Sequence, residues 1–208
     1  MSFIRSRAQA VGVAAIALVG IVVAVLVFTL PPDVQLGTTL RLVIYHGAQT
    51  WVNMALFTFA AVAAAVYLIS RNTIAYKWAT GFRYVAVPLW ILNTVLGLVS
   101  SKVAWGAINM EEPRLQATFY LLLGAGLLLA VDFGFGKPTL TALADIAMAG
   151  ALWFLILGAQ NFVHPDSPVM QSGWEIKGPF FGIVGGIMVM ALLASWLVAI
   201  HEPAEESA

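Results

Sequence analysis

Long apolar stretches alternate with short polar connections along the whole chain. Each stretch holds about 20 or more mostly apolar residues, which is the length that a helix needs to cross the hydrocarbon core of a bilayer. The pattern therefore predicts an all-α fold, a polytopic membrane bundle of six transmembrane helices forming a single integral membrane domain over residues 1–208. The predicted spans are 9–30, 39–69, 80–104, 114–134, 139–163 and 179–200.

The connections between the stretches contain residues that end or begin helices. Pro31-Pro32 follows the first stretch, and Arg71-Asn72 follows the second. Pro113 and Pro138 precede the fourth and fifth stretches, and the first turn of a helix tolerates a proline because its N–H groups lack intrahelical partners. We therefore expect helices to begin at these two prolines.

Composition supports the membrane assignment and excludes several kinds of chemistry. Apolar residues make up 61% of the 208 residues and charged residues only 10%, against about 25% in soluble domains. The formal net charge is zero, so nothing indicates nucleic acid as a partner. The chain has no cysteine, which excludes disulfides, thiolate metal sites and covalent attachment of haem. No Walker or Rossmann glycine pattern is present, so nothing points to a nucleotide site, to hydrolysis or to group transfer, and no motif indicates a catalytic site of its own.

The distribution of Lys and Arg predicts the orientation. With the N-terminus in the cytoplasm, six basic residues lie on the inner side and four on the outer side, as the positive-inside rule requires. The first apolar run is too long for a signal peptide, whose apolar region has about 7–15 residues, and is interpreted as a retained span. We expect a multi-pass protein of the cytoplasmic membrane with both termini inside. The inner residues are Arg5, Arg7, Arg71, Lys77, Arg83 and Lys137; the outer ones are Arg41, Lys102, Arg114 and Lys177.

Two of the three histidines fall on the predicted outer face. His46 lies near the start of the second span, in IYHGAQTW, and His164 follows the fifth span. A lone histidine at a helix end is usually an interfacial residue, whereas two on one face can act as axial ligands of haem iron. A bare zinc or copper site would need further protein ligands. The spacing leaves a b-type haem and an interfacial role both open.

Other outer residues have two interpretations as well. Trp51 and Trp105 fit the aromatic belt at a membrane interface, or stacking on a porphyrin. Lys102 and Arg114 are interfacial charges, or contacts to haem propionates, since a guanidinium binds a carboxylate in a bidentate manner. Arg114 could also form a local ion pair with Glu111.

Several polar residues and small residues lie at membrane depth. Gln49 follows His46 by three residues, so both side chains can face into the bundle, while Gly47 leaves room beside the histidine. Asn93 and Asp145 stand out within the spans. Asp145 is expected to hydrogen-bond a neighbouring helix or to reach the inner interface, because no path of further acids or histidines indicates a proton relay. Runs of small residues, FAAVAAAV and GIVGGIM, predict close helix packing.

Three motifs, in order and at matching spacing over about residues 40–170, resemble the haem exporter protein C (CcmC) family of haem-handling membrane proteins. The family's H-x-P-x-A-W pattern corresponds to His46 through Trp51. Its outer W-G-x-W-W-x-W-D-x-R-L loop corresponds to 105–115, and its N-x-x-H pattern to Asn161 through His164. The resemblance implies six spans, both termini inside, two outer histidines as axial ligands, and membrane partners in cytochrome c maturation.

The departures from the family pattern concern the first motif and the outer loop. Ala48 stands where the first motif has its proline. Ile108, Asn109 and Glu111 replace tryptophans of the loop that, in the family, presents haem to a chaperone, whereas Glu112 and Arg114 keep the acid and the arginine. One hypothesis is therefore haem handling for cytochrome c assembly, with haem transport to a partner. A second is a haem b electron-transfer subunit of a respiratory complex, and a third is an anchor subunit without haem.

Overall fold

The computed structural model describes residues 2–159 and 168–201, and the described chain is helical apart from its connections. The described ranges contain no β-strand, and Asp33 and Gly37 form an isolated β-bridge. The helices are α1 (Ser2–Thr29), α2 (Leu40–Ser70), α3 (Thr73–Trp105), α4 (Pro113–Phe135), α5 (Pro138–Gly158), α6 (Pro168–Gln171) and α7 (Trp174–Ala199).

Six of these helices are long and apolar enough to cross a membrane. The predicted all-α fold with six spans is thereby confirmed, and α6 is a single short turn between α5 and α7. The bundle has two ends. The His46 end is where α2, α4 and α7 begin, and the Arg83 end is where α3 and α5 begin. Which end faces the cytoplasm stays a prediction.

Four helix ends differ from the predicted spans. α1 begins at Ser2 rather than near residue 9. α3 begins at Thr73 rather than near 80, because Asn72 caps it by accepting a hydrogen bond from the Ile74 N–H. α7 begins at Trp174, one turn before Pro179. α5 ends at Gly158, and the remainder of the predicted span to 163 lies beyond the residues described.

The connections follow from turn and cap chemistry. α4 and α5 begin at Pro113 and Pro138, as expected from their sequence. In the connection from α1 to α2, Asp33 Oδ1 accepts hydrogen bonds from the backbone N–H groups of Leu36 and Gln35, each at 2.8 Å. These bonds favour the carboxylate and hold the pKa of Asp33 below its usual value.

α2 forms the centre of the bundle and packs against α3, α5 and α7. Its buried side chains lie at helical spacing and include Leu56, Ala60 and Ala64. α4 lies outside α5, and α1 packs mainly on α7 at the periphery. A Cβ at Gly186 of α7 would overlap Val23 of α1, so these two helices touch where glycine leaves space. The close packing predicted from the small-residue runs is confirmed.

Candidate functional site

The His46 side chain lies between α2 and α3, six residues after the start of α2. Its ring packs on Gly97 of α3: a Cβ at that position would lie 3.0 Å from Cε1 and 3.4 Å from Nε2. The residue is half-buried, and Nδ1 is fully enclosed by protein. Glycine at position 97 therefore provides the space that the imidazole occupies.

The expected role of Gly47 is different in the structure. A Cβ at Gly47 would lie 3.9 Å from the Phe180 ring of α7, which is an ordinary contact distance. Gly47 thus faces α7, while the histidine ring faces α3. The glycine that makes room for His46 comes from another helix, and a local sequence window does not reveal it.

Polar side chains continue along the α2 face that meets α3. Gln49 Nε2 donates to the Leu89 carbonyl at 3.1 Å, and the Thr50 hydroxyl donates to Asn93 Oδ1 at 3.0 Å. The expectation that Gln49 shares a face with His46 is confirmed. Asn93, a polar residue at membrane depth, accepts a hydrogen bond from the neighbouring helix. These bonds fix the register of α2 against α3 around His46.

Asn53 extends this polar face by one more turn and was not identified from the sequence. Its side chain is fully buried, and neither amide atom has a hydrogen-bond partner among the described residues. Its spacing of seven residues from His46, which places both on one helix face, is the signal that identifies it.

Trp51 lies on a different side of α2. Five residues separate it from His46, which corresponds to about 140° around a helix of 3.6 residues per turn. Its ring packs edge-on against Phe180, with centroids 5.6 Å apart, and Phe181, at 6.4 Å. In this arrangement Trp51 joins α2 to α7 and does not share the face that carries His46.

Lys102 and Trp105 lie between His46 and the end of α3 at the same end of the bundle. Gly97 precedes the end of α3 at Trp105 by eight residues, or about 12 Å. Lys102 Nζ donates to the Gly106 carbonyl at 2.9 Å and so stabilises the end of α3. Trp105 is half-buried at that end.

Arg114 is exposed on the first turn of α4. Within the described part of the chain its guanidinium has no acidic side chain at ion-pair distance, so the alternative of a local pair with Glu111 is wrong. The guanidinium is therefore available to an external anion at the His46 end.

His164 lies outside the described residues, so its pairing with His46 stays a prediction. Within residues 2–159 and 168–201 no group of three or more His, Asp or Glu side chains forms a metal site. A porphyrin needs only one or two axial ligands from protein. The described residues offer one candidate for such a position, the His46 imidazole held against Gly97 of α3.

A cavity of about 690 Å³ adjoins the polar face of α2. It lies between α1, α2, α3 and α7, and its walls are apolar except for Tyr45, Gln49 and Tyr84. The Gln49 Oε1 atom is buried and has no hydrogen-bond partner in the ranges described. His46 is not part of its lining, so the cavity is separate from the candidate axial position.

A buried ionic cluster occupies the Arg83 end. The fully buried Arg83 guanidinium of α3 lies 3.0 Å from Asp132 Oδ1 of α4 and 3.4 Å from Asp145 Oδ1 of α5. Asp145 thus contacts a neighbouring helix through an ion pair, and the hydrogen bond expected for it is not formed among the described residues. The prediction that Arg83 is one of the basic residues on the inner side is wrong, because its side chain is buried and paired. Without Arg83, five basic residues lie on the predicted inner side and four on the outer side.

No protein-family model matches the chain. It is 24% identical over 178 residues to haem exporter protein C of Bradyrhizobium diazoefficiens. The matched region covers 82% of this chain and 67% of that protein. The chain is similar to a haem exporter. Together with the six apolar helices, this similarity supports a CcmC-like relationship at the level of the family and fits a haem-handling membrane protein.

Proposed function

We propose that this protein binds one b-type haem, without covalent attachment, at the outer face of the cytoplasmic membrane and handles it for cytochrome c assembly. The similarity to haem exporter protein C over 82% of the chain is the observation that carries this proposal. The imidazole recess between α2 and α3 supports it, because it holds a histidine at the position that corresponds to the family's first histidine.

His46 and His164 would supply the two axial ligands. The haem, when bound, contributes the iron centre and its propionates. Packing on Gly97 and the enclosure of Nδ1 would orient the His46 ring, and Nε2 would be the ligand atom. Gln49 and Thr50 hold the helix turn that carries His46 against α3. This support keeps the imidazole in place before haem arrives.

The outer residues would position the propionates. Arg114 is exposed and unpaired with any described acid, and a guanidinium binds carboxylates in a bidentate manner. Lys102 already binds the Gly106 carbonyl, so its contribution would be to the local positive potential rather than a direct contact. Trp105, half-buried at the end of α3, would flank the porphyrin.

Delivery of haem requires partner subunits in the membrane, and the outer loop bears on this step. Ile108 and Met110 are exposed where the family carries a tryptophan-rich loop, which favours a second candidate function in which haem stays bound and transfers electrons within a respiratory complex. Release of haem to a partner and retention of bound haem can be distinguished by experiment.

The experiment is a haem-transfer assay with the purified full-length protein loaded with haem b. Transfer to a haem chaperone of the cytochrome c maturation system supports haem handling. Haem that remains bound and is reversibly reduced by a quinol supports the electron-transfer candidate. A protein that takes up no haem at all contradicts both.

A further inference from the structure

Two carboxylates share one guanidinium inside the bundle at the Arg83 end. The side chains of Arg83 and Asp145 are fully buried, and that of Asp132 is 10% exposed. Three helices meet at this cluster, which lies far from His46 along α3. It plays no part in the proposed binding of haem.

The two carboxylates have different surroundings. Asp132 Oδ2 accepts a hydrogen bond from the Tyr84 hydroxyl at 2.7 Å, and its Oδ1 lies 3.0 Å from Arg83 Nη1. Asp145 has only the 3.4 Å contact of its Oδ1 to Arg83 Nε, and neither of its oxygens has a hydrogen-bond partner among the described residues. Asp132 is therefore the better placed of the two carboxylates to pair with Arg83 as an anion.

The neighbouring helices do not supply a second cation to the cluster. Arg71 of α2 donates to the Thr139 hydroxyl and lies over the Tyr67 ring. The α3 side chains that face Arg83 are uncharged: the Thr80 hydroxyl, which accepts a hydrogen bond from Nη2 at 3.1 Å, and the rings of Tyr76 and Tyr84. Lys137 is exposed where α5 begins, and Lys77 of α3 is half-buried near the same end. Among the described residues, Arg83 and Asp132 are the charged groups that act on Asp145.

One positive and two negative groups would leave a net negative charge in a buried site. Burying an ion without a partner is costly, and a carboxylate can avoid that cost by binding a proton. Asp145 is the candidate because its carboxylate makes the fewest contacts.

We propose that the Arg83–Asp132–Asp145 cluster is a proton-binding site, in which Asp145 is a neutral carboxylic acid and Asp132 is the anion that pairs with Arg83. The proton adds to a carboxylate oxygen of Asp145 from the aqueous phase at the Arg83 end, where Asp132 is partly exposed. No electron transfer or further reactant is involved. The packing of α3 against α4 and α5 would then depend on the occupancy of this site.

Infrared spectroscopy of the purified full-length protein at neutral pH tests the proposal, because the C=O stretch of a neutral carboxylic acid lies apart from the amide bands. The wild type should show such a band. Asp145→Asn removes the acid, so the band from the cluster should be lost. Asp132→Asn leaves Arg83 with Asp145 as its single counter-ion, so Asp145 should ionise and the same band should again be lost.

The control is Asp33→Asn, which should leave the band unchanged because Asp33 lies in the loop between α1 and α2 and is held ionised by two backbone N–H groups. A band that survives Asp132→Asn, or a wild type without a band that Asp145→Asn removes, would overturn the proposal.

A second measurement applies if the variants do not fold. Carbon-13 labelling of aspartate in a protein carrying Asp166→Asn leaves Asp33, Asp132 and Asp145 as its aspartates. The carboxylic acid band should shift with the label. A band that keeps its position belongs to glutamate and contradicts the proposal.

Discussion

At the scale of single residues, the contact between His46 and Gly97 determines how the candidate ligand is held. The histidine could be singled out from the sequence, because a polar ring at the start of an apolar span is unusual. Its glycine partner could not, because Gly97 comes from another helix and nothing in its own sequence window sets it apart from the other glycines of the chain. The same holds for Arg83, whose two carboxylates come from α4 and α5.

Gly97→Ala tests the recess around His46. The added Cβ would lie 3.0 Å from Cε1, so the ring must shift by a few tenths of an ångström. We expect a shifted Soret band and weaker haem binding, measured by titration with haem b. Gly126→Ala is the matched control, because a Cβ there meets nothing within 4 Å. Equal behaviour of the two variants would show that Gly97 does not position the ligand.

Arg114→Ala tests the propionate contact. Losing a hydrogen bond to a charged group costs about 1.5–3 kcal/mol, so we expect haem affinity to fall by roughly 10- to 100-fold. Lys177→Ala, which removes a basic residue from α7 near the same end, should change affinity little. Unchanged binding in Arg114→Ala would remove this residue from the site.

At the scale of helices, hydropathy located each span, but cap chemistry and tertiary contacts set the ends. α3 begins at Thr73 because Asn72 caps it. Its first turns contain Lys77 and two aromatic residues, so hydropathy did not identify them as part of an apolar span. The prolines at 113 and 138 were reliable because their effect is local. The crossing of α3 and α7 depends on distant residues and could not be predicted.

Gly81→Ala tests that crossing. A Cβ at Gly81 would overlap the Ser195 carbonyl oxygen of α7, and backbone cannot give way as a flexible side chain can. Overpacking of this kind costs about 1–3 kcal/mol, so thermal unfolding in detergent should occur at a lower temperature. Gly150→Ala in α5, where a Cβ has no neighbour within 4 Å, should not be destabilised. A Gly81→Ala protein as stable as the wild type would contradict the described contact.

At the scale of the whole molecule, the six-span bundle followed from composition and the length of the apolar stretches, whereas its orientation rests on a small charge difference. With Arg83 buried, five basic residues against four indicate the inner side. The chain has no cysteine, so single cysteines can be introduced without background.

Val34→Cys and Ile74→Cys report on the two ends of the bundle, since both positions are exposed. An impermeant thiol reagent added to intact cells should label the cysteine at position 34 and not the one at position 74. The opposite pattern would place His46 on the cytoplasmic side and contradict the proposed outer haem site.

The central claim is that His46 and His164 bind the same haem iron. The most direct test is the visible absorption spectrum of the ferric, haem-loaded protein and of His46→Ala and His164→Ala. Ligation by both histidines predicts a six-coordinate, low-spin spectrum that becomes high-spin, or disappears with loss of haem, in each variant. His201→Ala, at the opposite end of the bundle, serves as the control and should keep the parent spectrum. If His46→Ala and His164→Ala both keep that spectrum as well, the two histidines are not the axial ligands and the account is contradicted.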